Sequence, residues 1–331
     1  MRITTTQVLR NYQSNLSKTV SELDQARNRV LTKRNFSKAS EDPASAAAAY
    51  KLRKEYIETG DHLENVRDVI SQFDAVESSA MEMNTIAKEA NALILEGVTG
   101  SASTETRKTI ATSLRQMQES IVMSANSKLG ESFLFGGQTR DAVPFKLVDG
   151  KLQYYGNDVA STDPAVQDKL KQMADAKVYV DLGYGLSFTG DDMDTNSAFN
   201  TAISGLNTLG YGTTADGNDK NLVNLLGQVA DELEKEPIDS EKLDELSKQF
   251  TDAKSNLTDF ITSLGTKSTF LETSKTRLED NQTTLNEKIV SVENVDLEVA
   301  ISDYSWAMYA YNAALKVGNS ILGQSFIDFM N

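Results

Sequence analysis

The sequence predicts a mainly α protein: a long antiparallel helical rod or coiled coil built from both chain termini, with a small inserted α/β head. Three observations lead there. The prolines, Pro43, Pro144, Pro164 and Pro237, leave 44–143 and 238–331 free of the residue that breaks helix interiors. Thirteen of the 19 glycines fall between Gly130 and Gly227, so a turn-rich middle separates two helix-compatible arms. Both ends of the 331-residue chain carry apolar heptads, and neither end can bury its heptad seam alone.

Taken in order, Leu9, Leu16, Leu23 and Val30 recur every seven residues, with Tyr12, Val20 and Ala26 on the adjacent face, which predicts a first helix with a coiled-coil seam. Asp42 before Pro43 pairs an N-cap with a first-turn proline. From there Leu52, Val66, Phe73, Val76, Ala80, Met83 and Ile94 belong to a series stepping by three, four or seven, closed by Gly97 and Gly100. At about 1.5 Å per residue this helix would be about 80 Å long, too long for a compact domain. Ile110, Leu114, Met117, Ile121 and Ala125 mark a third helix, antiparallel to the second because the connection is short. Apolar and polar residues alternate on both sides of Asp149-Gly150, a hairpin signal, and 178–182 reads as another strand. Helical spacing returns at Phe199, Ile203 and Leu206, and again at Leu222, Leu225, Leu226, Val229 and Leu233. A last long helix begins near Asp239 or Ser240. Beyond it Ile301, Met308, Leu315, Leu322 and Phe329 form a strict heptad, with Tyr304 and Tyr311 three residues behind that seam. The expected division is a terminal assembly domain from 1–38 and 295–331, a helical rod from 39–139 and 216–294, and an outward-facing head at 140–215.

Charge is unevenly spread. The formal net charge is −15, which disfavours nucleic acid or an anionic membrane as partner, although residues 1–34 are locally basic. Between Tyr304 and Asn331 only Lys316 and Asp328 are charged, and a helix so poor in charge expects neighbours on more than one side. The two terminal helices are expected to pair with each other and then with other subunits. The assembly interface assigned on this basis is Leu9, Leu16, Leu23, Val30, Ile301, Met308, Leu315, Leu322 and Phe329.

Little catalytic chemistry is available. Cysteine is absent, excluding disulfides and thiolate metal sites, and the single histidine, His62, has no second imidazole to join in a zinc motif or a triad. Asp192, Asp194 and Asn196 open like a calcium loop, but Ser197 stands where such a loop needs Gly and Ile203 where it needs Glu. Gly205, Gly210 and Gly212 lack the following Lys-Ser/Thr of a phosphate cradle. Arg27, Arg29, Lys33 and Arg34 form a basic cluster without interleaved aromatics, read as a solvated helix end or a contact with an acidic neighbouring subunit. The expectation is a protein without enzymatic activity, metal or cofactor. No apolar run approaches the about 18 residues of a membrane span, and the first 30 residues lack the apolar stretch of a secretory signal.

Five stretches carry a family resemblance: Met1-Arg-Ile-Thr-Thr-Thr6, SEDPASAAAA at 40–49, ESFLFGGQT at 131–139 followed by Pro144-Phe145, SAFNTAISGLNTLGYG at 197–212 and VDLEVAISDYS at 295–305. The chain resembles the hook-associated protein 3 (hook–filament junction) family within the flagellin superfamily. The first and last stretches resemble flagellins generally. Asp42-Pro43 and the Phe133-Leu-Phe-Gly-Gly137 turn resemble the junction family, because filament flagellins typically open the second helix with an Asp-Asp-Ala-Ala-Gly-like run. The resemblance implies a structural subunit of the bacterial flagellum in a ring between hook and filament. It also implies export through the flagellar type III apparatus without a cleaved signal, a cytoplasmic export chaperone, and contacts with itself, a neighbouring hook-associated protein and flagellin. Such a protein would be secreted and act outside the cell in motility. A filament flagellin and a cytoplasmic coiled-coil scaffold are the alternative readings.

Overall fold

The computed structural model describes residues 5–98, 103–189, 192–193, 197–214 and 217–327. Its helices and strands run α1 (Thr5–Thr32), α2 (Pro43–Val98), α3 (Thr104–Ala125), β1 (Lys128–Leu129), β2 (Ser132–Phe133), β3 (Phe145–Val148), β4 (Lys151–Tyr154), β5 (Asn157–Asp158), α4 (Pro164–Ala174), β6 (Tyr179–Val180), β7 (Phe188–Thr189), β8 (Asp192–Met193), β9 (Phe199–Asn200), α5 (Gly205–Leu209), α6 (Leu222–Glu234), α7 (Ser240–Glu293) and α8 (Leu297–Ile327). The fold is mainly α, with long helices and a small strand-containing insertion. The chain divides into two compact units, one made of 1–60 and 279–331, the other of 61–278.

In the second unit the spacing read from the sequence becomes one continuous core. Leu63, Val66, Phe73, Val76, Ala80, Met83, Ala87, Ala90 and Ile94 are buried along α2, and Leu243, Leu246, Phe250, Leu257, Leu264, Leu271 and Leu278 along α7. Both rows belong to one contiguous cluster of buried side chains. α3 joins through Ile110, Leu114 and Ile121 and packs on α6, whose Leu222, Leu225, Leu226, Val229 and Leu233 are all buried. Asn221 caps α6, its Oδ1 accepting from the backbone N–H groups of Val223 (3.0 Å) and Asn224 (3.1 Å).

The insertion holds the predicted hairpin in the predicted register: β3 pairs antiparallel with β4, Phe145 opposite Tyr154 and Val148 opposite Lys151. Asp149 and Gly150 both take positive φ (51° and 77°), the two-residue turn that matches strand twist. β5 adds a third strand to this hairpin, and the other sheets among the described residues are two-stranded. The strand expected over 178–182 shortens to Tyr179–Val180, pairing with Phe199–Asn200. Phe199 therefore belongs to a strand and not to the expected helix, which is reduced to Gly205–Leu209. The reason is aromatic packing: Phe199 lies 5.8 Å from Phe73 and 5.7 Å from Phe270, and Thr201 N–H donates to Val178 O, so tertiary contacts override the local period. Gly205 serves packing, not phosphate binding, because a Cβ there would stand 2.4 Å from the Phe145 ring.

In the first unit the buried apolar residues are small. Among the described residues they are Ala26, Ala49 and Ala300, with no large side chain fully buried.

Candidate assembly surface

The first unit brings the two chain ends together as the heptads require, α1 packing along α8. On α1, Leu9, Tyr12, Leu16, Thr19, Leu23, Ala26 and Val30 are buried or half-buried, one residue every three or four. The face they meet on α8 is Ala300, Tyr304, Ala307, Tyr311, Ala314 and Gly318, again spaced by three and four. Large residues of α1 thus lie against small residues and two tyrosines of α8, which allows close approach. Tyr12 makes a close contact with α8: its OH donates to Ala314 O at 3.2 Å, and a Cβ on Gly318 would overlap its ring, 2.4 Å from Cζ.

The residues singled out from the sequence therefore separate into two groups. Leu9, Leu16, Leu23 and Val30 face α8. Ile301, Met308 and Leu315 lie outside that buried row; they are 49%, 42% and 43% exposed on the flank of α8, where Met308 edges a groove beside α1. The pair Tyr304 and Tyr311, placed behind the seam by the strict seven-residue count, occupies the intrachain seam instead. Small residues at 300, 307, 314 and 318 were the missed signal, since a helix closely packed on large partners needs small residues at the contact. Leu322 lies in α8 without a described side chain, and Phe329 lies outside the described residues.

A third face of α8 is also open. Trp306 and Tyr309 are each 70% exposed, their rings 6.4 Å apart edge to face, and Val299 and Val317 are exposed beside them. Only Glu298, Asp303 and Lys316 carry charge among residues 297–320. Between the two helices a pocket of about 330 Å³ opens, floored by Val20, Leu23, Met308 and Tyr311 and rimmed by Asp24 and Arg27.

Both helix pairs break at the same place, and the breaks are tied together. Lys33 takes φ +57°, Asn35 N–H donates to Glu293 O at 2.7 Å, Val295 N–H donates to Lys33 O at 3.1 Å, and Arg53 pairs with Glu293 at 2.6 Å. Glu41 accepts from the Ser37 N–H at 2.7 Å, a hydrogen bond that lowers its carboxyl pKa. Asp42 caps α2, accepting from the Ser45 N–H at 3.0 Å, and hydrogen bonds from Ser45 hold its carboxyl below the ordinary range. Arg27 of the basic cluster pairs with Asp24 on its own helix.

The other sequence candidates lie in the second unit. His62 packs under Gly183 with its Nδ1 3.8 Å from Asp181 Oδ2. Gly210 and Gly212 take positive φ in a loop where Asn221 Nδ2 donates to Gly210 O. Asp194 and Asn196 lie outside the described residues. Among the described residues no three His, Cys, Asp or Glu side chains are grouped to hold a metal ion, and no helix is long and apolar enough to cross a membrane.

Residues 3–139 match the bacterial flagellin N-terminal helical region. Among solved structures the chain is similar to a Vibrio parahaemolyticus protein described as a flagellar hook-associated protein: 18% identity, TM-score 0.61, covering 77% of this chain and 100% of that one. It is also similar to flagellar hook-associated protein-3 of Legionella pneumophila, with 11% identity, TM-score 0.57, and 73% and 98% of the two chains covered. Xanthomonas campestris FlgL gives 13% identity, TM-score 0.53 and coverage of 73% and 99%. At these identities the likeness is one of fold. No curated protein sequence matches the chain.

Proposed function

We propose that this chain, whose residues 3–139 form a flagellin N-terminal helical region and whose fold is shared with hook-associated proteins, is a structural subunit of the bacterial flagellum at the joint between hook and filament. One observation carries the reading. α8 packs one face on α1 and leaves two further apolar faces open, a surface that a subunit buries only when other subunits surround it. The hook–filament position is supported by Asp42-Pro43 and by the Phe133-Leu-Phe-Gly-Gly137 turn.

In this role the terminal helices, 1–38 and 295–331, form the inner contact of a ring, the helical arms form its wall, and 140–215 faces outward. The work is mechanical: the ring joins a hook that flexes to a filament with its own helical lattice. The partners are other copies of the chain, a neighbouring hook-associated protein and flagellin. Before assembly, a cytoplasmic chaperone covers the apolar C-terminal helix during export through the type III apparatus without signal cleavage.

Immunogold electron microscopy of isolated flagella, using antibody against residues 140–215, tests the position. A single band where hook meets filament is the expected result. Label along the filament would make the chain a filament flagellin, and absence of label from flagella would leave the coiled-coil scaffold.

A further inference from the structure

The open faces of α8 differ in shape, and the difference specifies how copies meet. We propose that the contact between copies is heterologous, with Trp306 of one copy filling the pocket formed by Val20, Leu23, Met308 and Tyr311 on the next. This rests on the flagellar reading above and deepens it by naming the partner surface.

Three features of the first unit support it. The pocket and the protruding indole lie on opposite sides of α8: at about 100° per residue, Trp306 and Met308 are separated by roughly 160° around the helix axis. A two-fold dimer would set pocket against pocket or indole against indole, filling neither. The pocket, about 330 Å³, has the chemistry an indole needs, an apolar floor with a carboxylate at Asp24 to accept the ring N–H and the Arg27 guanidinium to lie on the ring face. Trp306 is the single tryptophan and among the most exposed large apolar residues, the profile of an interface anchor and not of a solvent-facing side chain.

Height along the helix adds a geometric consequence. Trp306 falls between Tyr304 and Met308, so knob and pocket stand at the same level to within a few ångströms at about 1.5 Å rise per residue. Copies joined this way sit side by side with little axial shift, which gives a ring or a shallow helix. The second copy is favoured as occupant because the indole and the pocket both lie on the α1–α8 pair and recur at matching height on every subunit.

Cysteine-free chemistry makes the test clean. The double variant Val20→Cys/Ala310→Cys places one thiol at the pocket and one a turn from Trp306. Treating flagella that carry it with a short bismaleimide should give a ladder of multimers, whereas each single variant should stay monomeric. Dimers from a single variant would show a two-fold contact and overturn the proposal, as would a monomeric double variant in flagella where immunogold still finds the protein at the hook end. Absence of the wild-type protein from flagella would instead sink the flagellar reading. Independently, Trp306→Ala should lower incorporation at least tenfold with unchanged helix content of the free subunit, and Trp306→Phe should restore most of it. Full incorporation of Trp306→Ala would overturn the proposal.

Discussion

Gly318 shows how one residue can fix a helix pair. Its missing side chain is the space into which the Tyr12 ring fits, so Gly318→Ala should push the helices apart at a cost of about 1 to 3 kcal/mol. Circular dichroism melts of the free protein should show the loss in the least stable transition, and Tyr12→Ala in the same chain should relieve part of it. At Asp219 the decisive quantity is burial. Its Oδ2 accepts from Asn224 Nδ2 (3.3 Å) and Gln228 Nε2 (2.9 Å) while Oδ1 is buried without a partner, and burial pushes the carboxyl pKa up to about 6. The folded state therefore holds the proton more tightly than the unfolded chain. Its contribution is full below the ordinary carboxylate range and lost as pH rises through 6. Between pH 7 and pH 5 this group should add about 1 kcal/mol to the stability of the second unit, and Asp219→Asn should remove that dependence. Urea denaturation at the two pH values checks it.

Elements gain roles from which face is covered. Leu16 and Leu315 read alike in the sequence, each at a heptad position of an end helix, yet Leu16 faces α8 and Leu315 faces out. Their aspartate variants should therefore fail differently. Leu16→Asp puts an unpaired charge into the intrachain seam and should unzip α1 from α8 in the free subunit, costing about 1 to 3 kcal/mol. Leu315→Asp should leave the free subunit's helix content and melting unchanged and block incorporation into flagella. Hydrogen exchange of α1 amides, together with an incorporation assay, separates the two; equal exchange in both variants would contradict the assignment of faces.

On the scale of the whole molecule the two units differ in how they are held. The second has a continuous core of large side chains, whereas the first buries only alanines among its described apolar residues. Two transitions should appear on heating, and in the free subunit amides of 5–60 and 279–320 should exchange much faster than those of 61–278, slowing once assembled. Ordering would then be coupled to incorporation, and premature polymerisation suppressed. Much of this was legible in the sequence. Heptads at both ends, proline-free arms and the Asp149-Gly150 alternation determined the helices, the pairing of the chain ends and the hairpin, because apolar periodicity is a local property that a helix or strand must obey. What only tertiary structure decided was which side of a periodic helix meets which neighbour. Counting sevens made Ile301, Met308 and Leu315 the seam of α8, but close packing against Tyr12 and Leu16 selected the smaller residues from Ala300 to Gly318. Phe199 likewise lies in a strand despite its helical spacing, paired with Val180 and with its ring packed against Phe73 and Phe270. Periodicity sets the shape of an element, and the volume left by its neighbours sets its face.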